Sequence, residues 1–241
     1  MNANWTIQRK SIPLWRKLVK DNWGKDIPNE PREKNVCRNN IILSEKEIWH
    51  KIVGCQVTTI QRSGPESLVN VFLKSNSAAL DINQCRNSES IKQMLEEEIY
   101  KAGLRRKNII SNNLSHIFKN LENGEWKILK KKLTALKNET SPEKERAFID
   151  YMTSENKYPG LGQKQSRNFI QWLGLSKYEI PIDSRTLRKL NEFGCDFVPS
   201  GSSLTDKTVY LFIQDCLIQI AKKLDIYPCE LDACIFSSFD T

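Results

Sequence analysis

The sequence predicts an all-α chain folded as two helical lobes, and three observations carry that expectation. Apolar residues recur at three- and four-residue spacing along most of the 241 residues, which is the period of an amphipathic helix. Period-two alternation, the mark of a half-buried strand, is nearly absent. Pro, Gly and small polar residues interrupt the pattern at helix-length intervals, with Ser or Asp at several starts.

Residues 11–20 form a short helix carrying Trp15 and Leu18. Residues 21–40, with Gly24, Pro28, Pro31 and a dense mix of charges, read as loop. Residues 1–40 are therefore expected to be a basic N-terminal segment, packed or extended, ahead of a helical body over 41–241. That body opens at Ser44, an N-cap with Glu47 three residues on and with Ile48, Ile52 and Val53 on one face. A helix follows Pro65 through Leu68, Val69, Phe72 and Leu73, and another spans 88–101 through Ile91, Met94, Leu95 and Ile99. After Gly103 the period continues over 104–121 and 125–137, and Ser141-Pro142-Glu143 opens a helix that ends near Asn156. Further helices run from Gly162 to Leu173, from Ser184 to Glu192, and over 205–224 and 228–238. The sum is about ten helices. About 44–140 forms a six-helix lobe, and the remainder gathers with the termini.

Lys and Arg number 37 against 29 for Asp and Glu, a net charge of +8. Such an excess suits a polyanionic partner whose condensed counterions it can displace. No apolar run approaches the roughly 18 residues of a membrane span. Arg9, Lys10, Arg16 and Lys17 are followed by neither an apolar core nor a cleavage site, so the expected location is cytoplasmic (with the nucleoid) or nuclear rather than secreted. Seven cysteines at irregular spacing are expected as unpaired, mostly buried thiols. His50 and His116 lack acidic or thiol neighbours at ligand spacing, so no metal is expected.

The most informative stretch is Tyr158-Pro159-Gly160-Leu161-Gly162-Gln163-Lys164. Two glycines between helices allow a tight hairpin whose N–H groups, at the positive end of the next helix, suit a phosphate oxygen. It also reads as an ordinary helix connection with Gly at a C-cap. Nineteen residues beyond Lys164, the run Ile180-Pro181-Ile182 ends in Asp183.

This pattern resembles the helix-hairpin-helix DNA glycosylase superfamily, in which a Pro-Gly-hydrophobic-Gly hairpin precedes a lysine and, later, a catalytic aspartate. The type nearest to it is the 8-oxoguanine glycosylase/lyase without an iron–sulfur cluster. The resemblance implies two lobes around a DNA-binding cleft, with Lys164 as nucleophile and Asp183 as acid/base or electrostatic stabiliser. It implies phosphate contacts from Gly160, Leu161, Gly162 and Gln163. Residues 54–64 look like the family's loop that fills the gap left by an extruded base, with Gln56 as the candidate. Gly103-Leu104-Arg105-Arg106-Lys107 is similar to a basic helix start, with Arg105 on DNA. Arg185 stands where many relatives carry His and is a further candidate contact. Phe236 and Phe239 on the last helix are candidates for stacking on the base.

The implied reaction removes a damaged or modified base, best 8-oxoguanine, from duplex DNA. The lysine amine attacks the sugar while the carboxylate stabilises its developing positive charge. Ring opening to a Schiff base and β-elimination then nick the strand. Cys195, Cys216, Cys229 and Cys234 are separated by 21, 13 and 5 positions, which does not fit the cluster loop of some relatives. No cofactor is expected beyond a monovalent ion at the hairpin, which the resemblance alone implies. The partner is duplex DNA bearing a modified base, met by a monomer and without a membrane. Lys164 also reads as a phosphate-binding lysine and Asp183 as a helix N-cap. A non-catalytic DNA-binding module and a helical protein binding an acidic partner therefore stay open.

Overall fold

The structure, a computed structural model, describes residues 7–61, 64, 66–154 and 156–239. Arg62 and Ser63 of the expected gap-filling loop, and Pro65 ahead of its helix, lie outside them. The described residues contain thirteen α-helices and no strand. They are α1 (Ile12–Asn22), α2 (Asp26–Pro31), α3 (Glu45–Val57), α4 (Leu68–Leu73), α5 (Ile82–Arg86), α6 (Ile91–Lys101) and α7 (Lys107–Asn120). There follow α8 (Trp126–Asn138), α9 (Pro142–Thr153), α10 (Gln163–Trp172), α11 (Ser184–Glu192), α12 (Lys207–Leu224) and α13 (Pro228–Ser237).

Several starts are set by side-chain caps that take the orphan N–H groups of a first turn. Ser44 accepts from Glu47 N–H, Ser67 from Asn70 N–H and Asp206 from Val209 N–H. The expectation of loop over 21–40 is corrected by α2 and by a π-turn at Arg32–Val36. The short α5 was likewise not expected.

The chain divides into two compact units. One comprises 42–138 and 148–169. In it α7 packs on α3 and α6, and Ile48, Ile52, Leu95, Ile99, Leu114 and Ile117 are all fully buried. Trp49 meets Phe118 edge-on, and its indole N–H donates to Ala79 C=O at 2.9 Å. The tyrosine that opens the hairpin, Tyr158, is buried here, and its hydroxyl lies 3.0 Å from that of Tyr151. Both phenols donate to the Glu125 carboxylate.

The other unit comprises residues up to 41, 139–147 and 170 onwards. Its core joins Trp15 and Leu18 of α1 to Ile180, Ile182, Leu187, Tyr210, Leu217 and Leu231. The N-terminal segment is thus core material. Buried Asn35 fastens it further, donating to Gln171 C=O at 3.1 Å and accepting from Ser176 N–H at 2.9 Å.

Candidate active site and nucleic-acid interface

The hairpin lies in the unit built from 42–138 and 148–169. Leu161 N–H closes the turn on Tyr158 C=O at 3.0 Å, and Gly160 takes φ +80°. A Cβ at Gly160 would stand 2.5 Å from Asn113 Nδ2 and 2.6 Å from Gln56 Oε1, so glycine is required on both counts. Gly162 differs. Its φ is ordinary and nothing lies within 4 Å of where its Cβ would be. The protein's own packing gives no reason for a glycine there, whereas the close approach of an outside backbone would.

Gly160 and Gly162 are exposed, while Leu161 between them is 2% exposed. The Leu161 side chain is therefore an anchor, and only its backbone is left to face a ligand. The α10 ladder begins with Ser166 N–H on Gly162 C=O at 3.0 Å. The N–H groups ahead of it lie at the positive end of the helix dipole. Gln163 is partly occupied: its Oε1 accepts from Arg167 Nη1 at 2.8 Å.

Gln56 corrects the expectation placed on it. It is 3% exposed, donates to Pro159 C=O at 2.6 Å and accepts from Asn113 Nδ2 at 3.2 Å. It supports the hairpin from beneath, as the last turn of α3 directs its side chain into the protein, and is not placed to enter a gap in DNA. Asn113 completes the support, and no sequence signal marked it.

Lys164 sits in the first turn of α10, half-buried. Its charge is felt by the buried Cys55 thiol, whose own pKa is pushed far up by burial and pulled back by Lys164 and Lys51. Cys55 is held by a 3.5 Å contact to Gln165 C=O. Arg105 is exposed beside the start of α7, its N–H donating to Gln61 Oε1 at 2.8 Å.

Asp183, Arg185, Phe236 and Phe239 belong to the other unit. Asp183 caps α11, with Oδ1 accepting from Arg185 N–H at 2.9 Å and Thr186 N–H at 3.3 Å. Oδ2 lies 3.4 Å from Arg185 Nε, and the side chain remains 19% exposed. The capping role therefore occupies Oδ1, and Oδ2 is paired with Arg185. Arg185 also covers the ring of Phe236 at 3.8 Å, and Arg188 covers Phe239 at 4.1 Å. Asp183, Arg185 and Phe236 form one cluster. Both phenylalanine rings are engaged by cations of α11, so a base would have to share or displace that contact.

The approach to Asp183 is clamped by two groups that the sequence did not single out. Fully buried Glu145 accepts from the N–H groups of Lys177 (2.8 Å), Tyr178 (3.0 Å) and Glu179 (3.1 Å). It also accepts from the Thr140 and Ser176 hydroxyls. Burial raises its pKa, and these donors oppose the rise. The Tyr210 hydroxyl accepts from Ile182 N–H at 2.7 Å and donates to Ile180 C=O at 2.8 Å. In sequence Glu145 reads as a routine first-turn acid and Tyr210 as core. Among the described residues no three of His, Cys, Asp or Glu converge as metal donors.

The described residues are thus helical, with a glycine hairpin, a lysine in the first turn of the following helix and an aspartate that caps α11. Among solved structures this chain is similar in fold to the 8-oxoguanine DNA glycosylase of Methanocaldococcus jannaschii, at 19% identity and a TM-score of 0.68, covering 96% of each chain. It is similar to the 8-oxoguanine DNA glycosylase of Thermotoga maritima at 15% identity and 0.67, covering 95% of this chain and 97% of that one. A third is the 8-oxoguanine glycosylase/lyase of M. jannaschii in complex with a 15mer DNA containing 8-oxoguanine, at 16% identity and 0.67, covering 94% and 97%. No family model matches the sequence, and no curated protein matches it.

Proposed function

We propose that this protein is a bifunctional DNA glycosylase that removes a modified base, 8-oxoguanine first among them, from duplex DNA and nicks the strand. The observation that carries the reading is Lys164 in the first turn of α10, directly behind a hairpin whose second glycine faces open space. The similarity in fold to 8-oxoguanine glycosylases over nearly the whole chain supports it.

A base inside a duplex is out of reach of a side chain, so the nucleotide must first leave the stack. The Gly160–Gly162 backbone and the dipole of α10 hold a phosphate and fix the strand, and Arg105 adds a further phosphate contact. The Lys164 amine bonds to C1′ as the C1′–N bond breaks, and the base departs with that electron pair and takes up a proton. Asp183 stabilises the positive charge that builds on the sugar and accepts the proton the amine loses. Ring opening gives the Schiff base, and loss of a C2′ proton expels the 3′ phosphate. Water then releases the lysine.

Arg185 and Phe236 border the carboxylate and are assigned to the nucleotide. No iron–sulfur cluster enters the reading, given the cysteine spacing. A monovalent ion at the hairpin carbonyls remains part of it. No described helix is long and apolar enough to cross a membrane, and a duplex DNA substrate fits a location in the cytoplasm with the nucleoid, or in the nucleus.

Borohydride trapping on a panel of duplexes, each with one altered base, tests the proposal. A covalent adduct with the 8-oxoguanine duplex, lost in Lys164→Gln, is the expected result. Duplex binding with no adduct and no base release would instead mark a non-catalytic module.

A further inference from the structure

Helix α8 carries four lysines in six residues, Lys127, Lys130, Lys131 and Lys132, and they are not equivalent. Leu129, Leu133 and Leu136 fix the helix against the core. Side chains two residues apart leave a helix about 200° from each other. Lys130 accordingly turns to one flank and pairs with Glu45 at 3.6 Å. Lys132 leaves on the other, exposed, with Nζ 4.6 Å from the centre of the Tyr151 ring. A second ammonium reaches the same ring from another element, with Lys157 Nζ 6.0 Å from its centre.

Two like charges gathered at one ring repel each other unless something draws both. The face of the ring attracts each ammonium. The Tyr151 hydroxyl donates to the buried Glu125 carboxylate, which makes the ring a richer source of electrons. An ammonium held by a ring can still donate N–H bonds to an anion. The anchor is shared with the hairpin. The Tyr158 hydroxyl lies 3.0 Å from that of Tyr151 and donates to Glu125 at 3.3 Å. Tyr158 C=O in turn takes the Leu161 N–H that closes the turn. Lys157 is the residue before it, its carbonyl held by Asn120 Nδ2 at 3.0 Å. One buried network within one compact unit therefore sets the lysine pair and the hairpin relative to each other.

We propose that Lys132 and Lys157 form a second backbone-phosphate site, for the same DNA strand that the Gly160–Gly162 hairpin holds. The inference rests on the reading of that hairpin as a DNA contact. A phosphodiester carries one negative charge and two outer oxygens, enough to accept from both ammonium groups. One phosphate contact fixes a point on a strand, whereas two fix its direction, and an attack by Lys164 on a sugar requires both.

The test measures Kd by fluorescence anisotropy, with the full chain and a duplex holding a stable abasic-site analogue, so the readout needs no excision. One backbone phosphate at a time is replaced by an uncharged methylphosphonate. Wild type should show a position where the replacement weakens binding severalfold, and where Gly162→Ala and Arg105→Ala leave that effect in place. The double variant Lys132→Gln, Lys157→Gln should abolish it and lower the magnitude of the salt slope by about one. Lys132→Gln alone should weaken it, while Lys130→Gln, an equal loss of charge from the same helix, should keep it. Absence of such a position in wild type, its persistence in the double variant, or its equal loss in Lys130→Gln would each overturn the inference. Borohydride adduct formation without such a position would remove the second site alone. A position that depends on the two lysines, in a protein that never forms the adduct, would keep the site and remove the glycosylase reading.

Discussion

Gly160 and Gly162 stand two residues apart, yet a methyl group added to each should act in opposite ways. At Gly160 it meets Gln56 and Asn113 in a left-handed backbone. Gly160→Ala should therefore cost about 1–3 kcal/mol in chemical unfolding. At Gly162 it meets nothing from the protein. Gly162→Ala should leave stability unchanged or raise it by up to about 1 kcal/mol. Duplex affinity, read by fluorescence anisotropy, should nevertheless fall. The Gly-x-Gly spacing was legible in the sequence, but which glycine is packed and which faces outward was not. Gln56 shows why: its partner Pro159 lies 103 positions away, and local periodicity says nothing about which long-range carbonyl a glutamine will find.

At the level of elements, α11 began where Asp183-Ser184 placed it, because a capping aspartate is a local signal. The longer helices were legible for the same reason, since a dozen residues of amphipathic period outweigh noise. Helices α2 and α5, of six and five residues, carry too few apolar residues for that period to declare itself. Pro28 and Pro31 argued for loop, although Pro28 falls in the first turn of α2, which tolerates a residue without an N–H. The segment leading into α11 is secured by side chains from α9 and α12, and that arrangement was invisible in sequence. Tyr210→Phe removes the hydroxyl bridging Ile180 and Ile182, and should cost about 1–3 kcal/mol. If the segment positions Asp183, single-turnover excision should slow in this variant while duplex Kd stays near wild type.

For the molecule as a whole, the net charge of +8 predicts duplex binding that weakens steeply with salt. The logarithm of affinity should fall by about 0.9 per phosphate contacted for each tenfold rise in salt. Arg105→Ala should lower the magnitude of that slope by about one, with little dependence on base sequence. A helical protein that binds an acidic partner would show no such relation. The core formed by Trp15, Leu18 and residues beyond 170 bears on a different matter, the order in which the protein is made. The first helix leaves the ribosome early but finds its packing partners only once the last third of the chain has been translated. Residues 42–169 include a compact set of contacts that can close sooner. A nascent chain stalled with about 190 residues emerged should then be cleaved by protease ahead of residue 41 and resist over much of 42–169.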